Sequence, residues 1–246
     1  MEINVEIPQE LSAITVRQYQ EYHKVVEANS DAKDDENVID FLNKKCIEIF
    51  CKVPFNDVEK LPFALFQDII KKISDCFNEA TPLRTNFTLT DRKGDYVSFG
   101  FEPKLDDIAY GAYQDAESYS DVENLHKLLA VLYRPIIHKK KDNYRIEEYE
   151  GSDKWSSAML DAPLNVAFGM QVFFYRLGRK LSQYTMDYTL QEWEQKIEQG
   201  RSQLSEENGE LISQYSRWHK MMLGELMRLQ DYHYTSVCST LNTRKR

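Results

Sequence analysis

Histidine and cysteine residues are the first candidates for chemistry, because imidazole and thiolate groups bind metals and act as bases or nucleophiles. The chain holds five histidines and four cysteines. No histidines have His-Glu-x-x-His spacing and no cysteines have Cys-x-x-Cys spacing, so a zinc site would need residues from distant parts of the chain. The sequence therefore predicts no metal and no other cofactor.

Glycine-rich loops and paired carboxylates are the next candidates. The nine glycines are dispersed and form neither a P-loop nor Gly-x-Gly-x-x-Gly, and Gly-x-Ser-x-Gly does not occur. Glu147 and Glu148 are neighbours on a predicted strand, where adjacent side chains point to opposite faces and do not readily share a proton. We expect no enzyme activity. The open alternative is a small enzyme whose site is assembled from scattered residues such as His126, Glu147 and Glu148.

The charge balance limits the class of partner. Lys and Arg total 31 against 40 Asp and Glu, which gives a net charge of −9. Nucleic-acid-binding proteins normally present a basic face, and the short basic run at 138–141 is isolated, so we expect no nucleic-acid partner. The most apolar stretch, 164–175, is interrupted by polar residues and is too short to span a bilayer. No membrane association is expected.

Cysteine usage and the first residues both predict a cytosolic protein. Reduced thiols are expected at Cys46, Cys51, Cys76 and Cys238, because a chain of 246 residues can build a core without disulfides. Residues 1–6 contain neither the basic nor the apolar region of a signal peptide.

Hydrophobic periodicity predicts an α+β fold that is mainly α. Helical spacing of apolar residues occurs near 15–28, 35–52, 62–79, 163–184, 189–199 and 205–230. Alternation with period two, at 85–100 and at 136–149, predicts two small β-hairpins that form a minor sheet. We expect one domain over 1–246, made of an acidic helical part (1–80), a core with the hairpins (85–180) and C-terminal helices (189–246).

One predicted junction joins a helix to the second hairpin. Ser120-Asp-Val-Glu123 matches a capping box, which predicts that a helix begins there and is stopped by Pro135. Arg134 either caps the last carbonyls of that helix or anchors the hairpin or a partner carboxylate. We predict that Tyr133, Arg134 and Pro135 hold this junction together.

Two segments are candidate contact surfaces. Residues 101–125 hold seven acidic residues and a single Lys, together with three tyrosines, Tyr110, Tyr113 and Tyr119. Aromatic residues are enriched at interfaces, although a charged run is also typical of a solvated face. The C-terminal helices carry an apolar stripe that includes Trp218 and Met222, and it either packs on the domain or binds a neighbouring subunit.

One part of the chain resembles a known group of proteins. Its most specific piece is Leu-Tyr-Arg-Pro-Ile at 132–136, followed by Tyr-Arg-Ile-Glu-Glu-Tyr at 144–149, Ala-Pro-Leu-Asn-Val-Ala-Phe-Gly-Met at 162–170 and Phe-Phe-Tyr-Arg-Leu-Gly at 173–178. This region, about 85–180, resembles proteins of tailed bacteriophages, among them podovirus-like and crAss-like phages, that are described as virion structural proteins or tail assembly chaperones.

The resemblance implies a role without catalysis. A protein of this group would be made in the host bacterial cytoplasm and would act in building the tail or neck, either as a chaperone or as a virion subunit. Phage tail, neck or tape-measure proteins would be its partners, with self-association as a further expectation. Under the alternative, the chain is a small cytoplasmic phage-encoded enzyme.

Overall fold

A computed structural model describes residues 5–32, 35–90, 94–105, 108–141 and 143–176. Its helices are α1 (Val16–Ala28), α2 (Glu36–Cys51), α3 (Phe55–Val58), α4 (Phe63–Phe77), α5 (Tyr110–Ser118), α6 (Leu125–Leu132), α7 (Asp153–Met159) and α8 (164–176). Its strands are β1 (Asn86–Thr90), β2 (Tyr96–Phe101), β3 (Tyr133–Lys140) and β4 (Asn143–Ile146). The predicted α+β fold, mainly α, is confirmed. The predicted helices near 189–199 and 205–230, with Trp218 and Met222, lie outside the described residues.

Local capping residues define the beginning of the N-terminal helices. Thr15 and Gln18 form a capping box at the start of α1, in which each side chain bonds the other residue's backbone N–H. Asp35 caps α2 by accepting the backbone N–H of Asn37 at 2.8 Å. Pro62 precedes the first turn of α4, which needs no N–H there. These helices begin within two residues of their predicted positions.

The capping-box prediction at Ser120–Glu123 is wrong. Helix α6 begins at Leu125, and its N-cap residue, Asn124, makes no side-chain cap. The carboxylate of Asp121 instead accepts the backbone N–H of Asn124 at 2.6 Å and its side-chain amide at 2.9 Å. Gln20 of α1 donates to two carbonyls of the same turn, at 2.7 and 2.9 Å. A contact from a distant helix therefore keeps this segment as a turn.

The two hairpins form one antiparallel sheet, as predicted. Its strand order is β1-β2-β3-β4. Gly94, in the loop of the first hairpin, has φ +90°, which favours glycine. Strand β3 begins at Tyr133, three residues earlier than the predicted hairpin, because α6 ends at Leu132 rather than at the proline. Pairing between β2 and β3 covers Tyr133–Pro135, and β3 then pairs with β4 around an irregularity between Ile136 and His138.

The hydrophobic core joins the helices to one face of the sheet. Alternate residues of the strands supply that face, including Phe87, Phe99 and Phe101. Trp155 of α7 packs edge-on against Phe99 with the ring centroids 5.3 Å apart, and Phe173 of α8 packs in the same way against Phe101 at 5.7 Å. Helices α7 and α8 therefore cover the inner face of the sheet.

The start of α1 is tied to the connection between α7 and α8. Thr15 forms an isolated antiparallel bridge with Pro163. The backbone N–H of Val16 donates to the carbonyl of Ala162 at 3.0 Å, and the N–H of Leu164 donates to the carbonyl of Ile14 at 2.8 Å. These bonds join parts of the chain about 150 residues apart in the sequence into one packed unit.

Candidate interaction surface

The junction between α6 and β3 is built around the fully buried side chain of Tyr133. Its ring packs against Phe87 and Phe101, with both centroid distances 5.2 Å. Its hydroxyl donates to the carbonyl of Arg84 at 2.7 Å. Burial raises the pKa of this phenol well above its ordinary value, so the group remains a neutral donor.

Arg134 anchors the second hairpin to the segment that follows β2. One guanidinium nitrogen donates to the carbonyl of Glu147 at 2.9 Å, and another pairs with the carboxylate of Glu102. The guanidinium also lies over the ring of Tyr149, 5.8 Å from its centroid. The last carbonyl of α6, that of Leu132, instead accepts the backbone N–H of Glu102 at 2.8 Å. These contacts match the anchor alternative, and the alternative of a helix cap is wrong.

Pro135 fits the junction because its missing N–H is not needed there. It lies opposite Phe99 of β2, and its carbonyl accepts the backbone N–H of Glu147 at 2.9 Å. Glu147 is thus bound to both Arg134 and Pro135 through its backbone. Tyr133, Arg134 and Pro135 are therefore parts of the scaffold, and none of them forms an exposed docking face.

The three tyrosines of the acidic segment have different environments. Tyr113 and Tyr119 are half-buried, and the hydroxyl of Tyr119 accepts a hydrogen bond from Ser152 at 3.3 Å. Lys127 lies 5.2 Å from the centre of the Tyr119 ring. Tyr110 alone is strongly exposed, at 74%. Of the three tyrosines, Tyr110 is therefore the one whose ring is mostly accessible, and the contact surface itself stays a prediction.

The exposed face of α5 is uncharged, although the segment as a whole is acidic. Its exposed members are Tyr110, Gly111, Gln114 and Ser118. Asp115 and Glu117 are half-buried, and Asp115 accepts a hydrogen bond from the hydroxyl of Tyr149. Residues 106–107, which supply two further acids, lie outside the described part. Within the described part of α5, the exposed face is apolar and polar rather than acidic.

Three other large apolar side chains in the described part of the chain are more than half exposed, and sequence reasoning did not single them out. Phe63, at the start of α4, is 65% exposed, Tyr96, at the start of β2, is 82% exposed, and Ile137 on β3 is 57% exposed. The alternation along β2 places Tyr96 on the same face as Ser98, which was a signal for exposure. No comparable signal marks Ile137, because the irregularity beside it shifts the register of the strand.

The residues of the open enzyme alternative are each engaged by different partners. Nδ1 of His126 lies 3.0 Å from the amide nitrogen of Gln20, and burial lowers the pKa of this histidine. Partial burial opposes ionisation of Glu147, but hydrogen bonds from Lys154 and Trp155 outweigh it and lower its pKa. Glu148 is exposed and lies 3.6 Å from Arg145. This environment keeps Glu147 an ionised ion-pair partner.

The described cysteines are buried free thiols at Cys46, Cys51 and Cys76, and Cys238 lies outside the described residues. Burial raises the pKa of Cys51 to about 11, so its thiol stays protonated and unreactive at neutral pH. In the described segments, no group of three or more His, Cys, Asp or Glu residues is placed to hold a metal ion.

A cavity of about 350 Å³ lies between the N-terminal residues 6–13 and the end of α2, with Gln18, Cys51 and Lys52 in its lining.

Comparisons of the chain with known protein families, with characterised proteins and with solved structures give no significant match. Of the helices in the described part of the chain, none combines the length and the apolar character needed to cross a membrane.

Proposed function

We propose that this chain is a non-enzymatic bacteriophage protein that acts in tail or neck morphogenesis. It works as a tail assembly chaperone or as a virion subunit, and its partners are other tail, neck or tape-measure proteins. It acts in the cytoplasm of the infected bacterium and, if it is a subunit, remains in the particle. The proposal begins from the resemblance of residues 85–180 to proteins of that kind.

The observation that carries the proposal is how the resembling residues are used. Tyr133 and Arg134 are buried. The Tyr133 hydroxyl binds the backbone of Arg84, and two guanidinium nitrogens of Arg134 bind the backbone of Glu147 and the carboxylate of Glu102. Gly169, in the third resembling stretch, lies where a Cβ atom would be only 2.4 Å from the carbonyl oxygen of Pro82. These residues hold a scaffold together, which favours a structural or assembly role over a catalytic one.

A second line of support is the distribution of exposed apolar groups. Phe63, Tyr96, Tyr110 and Ile137 are all more than half exposed and lie on four different elements. Large exposed side chains of this type are favoured contact points for partner proteins, because they add apolar area to an interface. An assembly protein has several neighbours, so separate contact points fit that role.

The decisive test is deletion of the gene from the phage that encodes it. We expect particles without functional tails, seen as isolated heads by electron microscopy, and a loss of infectivity that a plasmid copy restores. A plasmid copy carrying Lys71→Ala, at an exposed position of α4, is the matched control and should restore infectivity fully. A normal yield of infectious tailed particles after deletion would contradict the proposal.

Mass spectrometry of purified particles then separates the two roles. A stoichiometric signal identifies a virion subunit, whereas absence from mature particles together with the tailless phenotype identifies a chaperone. Purified protein should carry no nucleotide or metal in native mass spectrometry. A reproducibly bound nucleotide would instead favour the enzyme alternative.

A further inference from the structure

The distal half of the second hairpin projects from the sheet as a two-stranded ribbon. Pairing between β2 and β3 ends at Phe99 and Pro135, while β3 continues to Lys140 with β4 as its only paired neighbour in the described sheet. Along this stretch, Ile137 and His138 to Lys141 are all exposed. We call residues 137–141 and 143–145 the basic arm. The ribbon is anchored to the rest of the sheet at Tyr144, whose hydroxyl donates to the carbonyls of Thr85 and Phe101, and its other described residues from 137 to 145 are exposed.

The arm concentrates positive charge in an acidic protein. Lys139, Lys140, Lys141 and Arg145 are exposed, and the three lysines make no ion pair with an acidic residue in the described part of the chain. The net charge of the whole chain is −9, so this cluster runs against the overall balance. Isolated positive charge on a projecting element is well placed to meet a negative surface.

At the tip of the arm, Lys141 has φ +55°, a left-handed conformation in which glycine or asparagine is favoured. Lys52 has the same φ where α2 ends, so Lys141 enters the argument through its exposed charge and not through its backbone.

The chain itself provides a matching negative surface at the turn between α1 and α2. Its described acidic side chains are exposed: Glu27, Asp31, Asp35, Glu36 and Asp40. We call this group the acidic end. Asp40 pairs with Lys44 at 3.0 Å, Asp35 accepts hydrogen bonds from Asn37, and Glu27 lies 3.8 Å from Nδ1 of His23. Asp31 and Glu36 are therefore the acids least engaged in the described structure.

We propose that the basic arm of one copy docks on the acidic end of a second copy, in a head-to-tail arrangement. Ile137, exposed beside the charges, supplies the apolar contact, and the lysines supply the electrostatic complement. Because the two surfaces are different, a docked pair of copies still has one arm and one acidic end free, and association continues until a ring closes or a filament forms. The inference does not depend on the proposed function, since it concerns the purified chain alone.

Charge-swap variants of the full chain test the proposal. The arm variant is Lys139→Glu with Lys140→Glu, and the end variant is Asp31→Lys with Glu36→Lys, which leaves the Asp35 cap intact. The control is Lys71→Glu with Lys72→Glu on the exposed side of α4, which changes the charge by the same amount as the arm variant. Sedimentation velocity is run in about 0.15 M and about 1 M salt, where the screening length falls from about 8 Å to about 3 Å.

We expect the wild-type chain and the α4 control to associate at the lower salt and to weaken at the higher salt. The arm variant and the end variant should each associate at least about tenfold more weakly, because like charges then face each other. An equimolar mixture of the two variants should associate again, since each reversed surface meets its complement. Circular dichroism checks that every variant is folded.

Several results would overturn the proposal. These are a wild-type chain that stays monomeric at the lower salt, an arm variant that associates like wild type, or folded variants whose mixture fails to recover association. If one reversed variant does not fold, Lys139→Gln with Lys140→Gln and Asp31→Asn with Glu36→Gln replace the two. Association of both neutral variants at wild-type strength contradicts the proposal equally.

Discussion

The two halves of strand β3 differ in their burial and in their role. The first half, Tyr133–Pro135, pairs with β2, and its two buried side chains, Tyr133 and Arg134, bind residues from distant segments. The second half, from Ile137 to Lys140, is exposed and carries the charges of the basic arm. A single strand therefore acts as scaffold at one end and as surface at the other. Substitutions in the first half should change stability, and those in the second half should change association.

The largest effect is expected at Tyr133. Tyr133→Ala removes a fully buried ring that contacts Phe87 and Phe101, and should lower the free energy of unfolding by about 4 kcal/mol. Tyr133→Phe keeps the ring and removes only the hydrogen bond to Arg84, so the loss should be about 1 kcal/mol. Urea denaturation followed by fluorescence measures both. Equal losses for the two variants would mean that ring packing contributes little.

Two arginines allow a direct comparison of the halves of the hairpin. Arg134→Ala leaves the buried carboxylate of Glu102 without its partner and should reduce stability by about 3 kcal/mol. Arg145→Ala, on the exposed part of β4, should stay within about 0.5 kcal/mol of wild type, because its ion pair with Glu148 is long and solvated. Thermal and urea denaturation of both variants measure the two losses of stability. Similar losses at the two positions would remove the distinction between scaffold and surface.

Glycine-to-alanine substitutions at two positions should change the stability in opposite directions. A Cβ on Gly100 would lie 2.5 Å from the ring of Tyr144, and the hydroxyl of that ring is bonded to the carbonyls of Thr85 and Phe101. Gly100→Ala should therefore destabilise by about 1–3 kcal/mol. Gly111 lies on the exposed face of α5, where an added methyl group would meet only the ring of Tyr149, at 3.9 Å. Gly111→Ala should therefore stabilise by about 0.5 kcal/mol.

The melting temperatures of these two variants, measured at one protein concentration, should bracket that of wild type. A stable Gly100→Ala protein would show that Tyr144 moves aside at little energetic cost and that the two hairpins are less tightly joined than their contacts indicate.

A small effect on stability is expected at the tip of the arm. Lys141→Gly relieves the positive φ of a lysine. This gain should exceed, by about 0.5 kcal/mol, the cost of the larger conformational entropy that glycine has in the unfolded state. The same change removes a charge from the basic arm, so head-to-tail association should weaken while stability rises. Differential scanning calorimetry and sedimentation velocity measure the two quantities on one sample. If association strengthened, the lysine at this position would not be serving the contact.

The sequence was sufficient for elements whose signals are local. Thr15, Asp35 and Pro62 lie within a few residues of the helix starts that they define, and Gly94 lies within its own hairpin. It failed at Ser120–Glu123, where the decisive hydrogen bonds come from a helix about 100 residues earlier in the chain. A local sequence motif does not show whether a residue far away in the sequence will form hydrogen bonds that compete with it.

The candidate site shows the same limit. Sequence reasoning placed Arg134 at a junction but could not choose between two roles, because the choice depends on Glu102, 32 residues earlier, and on the carbonyl of Glu147. It also treated three tyrosines as equivalent, although packing of α5 against the chain near Ser152 buries part of Tyr119 and leaves Tyr110 exposed. The exposure of a side chain depends on which other segments pack against it, and the sequence of its own segment does not specify them.

The bridge between Thr15 and Pro163 has a consequence for synthesis on the ribosome. The start of α1 cannot gain its bonds to residues 160–164 until about 150 further residues have been added. At about 5–20 residues per second, the wait is about 7–30 s. Leu11, Ile14 and Val16, fully buried in the finished fold, remain available to other proteins during that interval. The nascent chain is therefore expected to recruit cellular holdases at its N-terminal end, and to release them only when α8 has emerged.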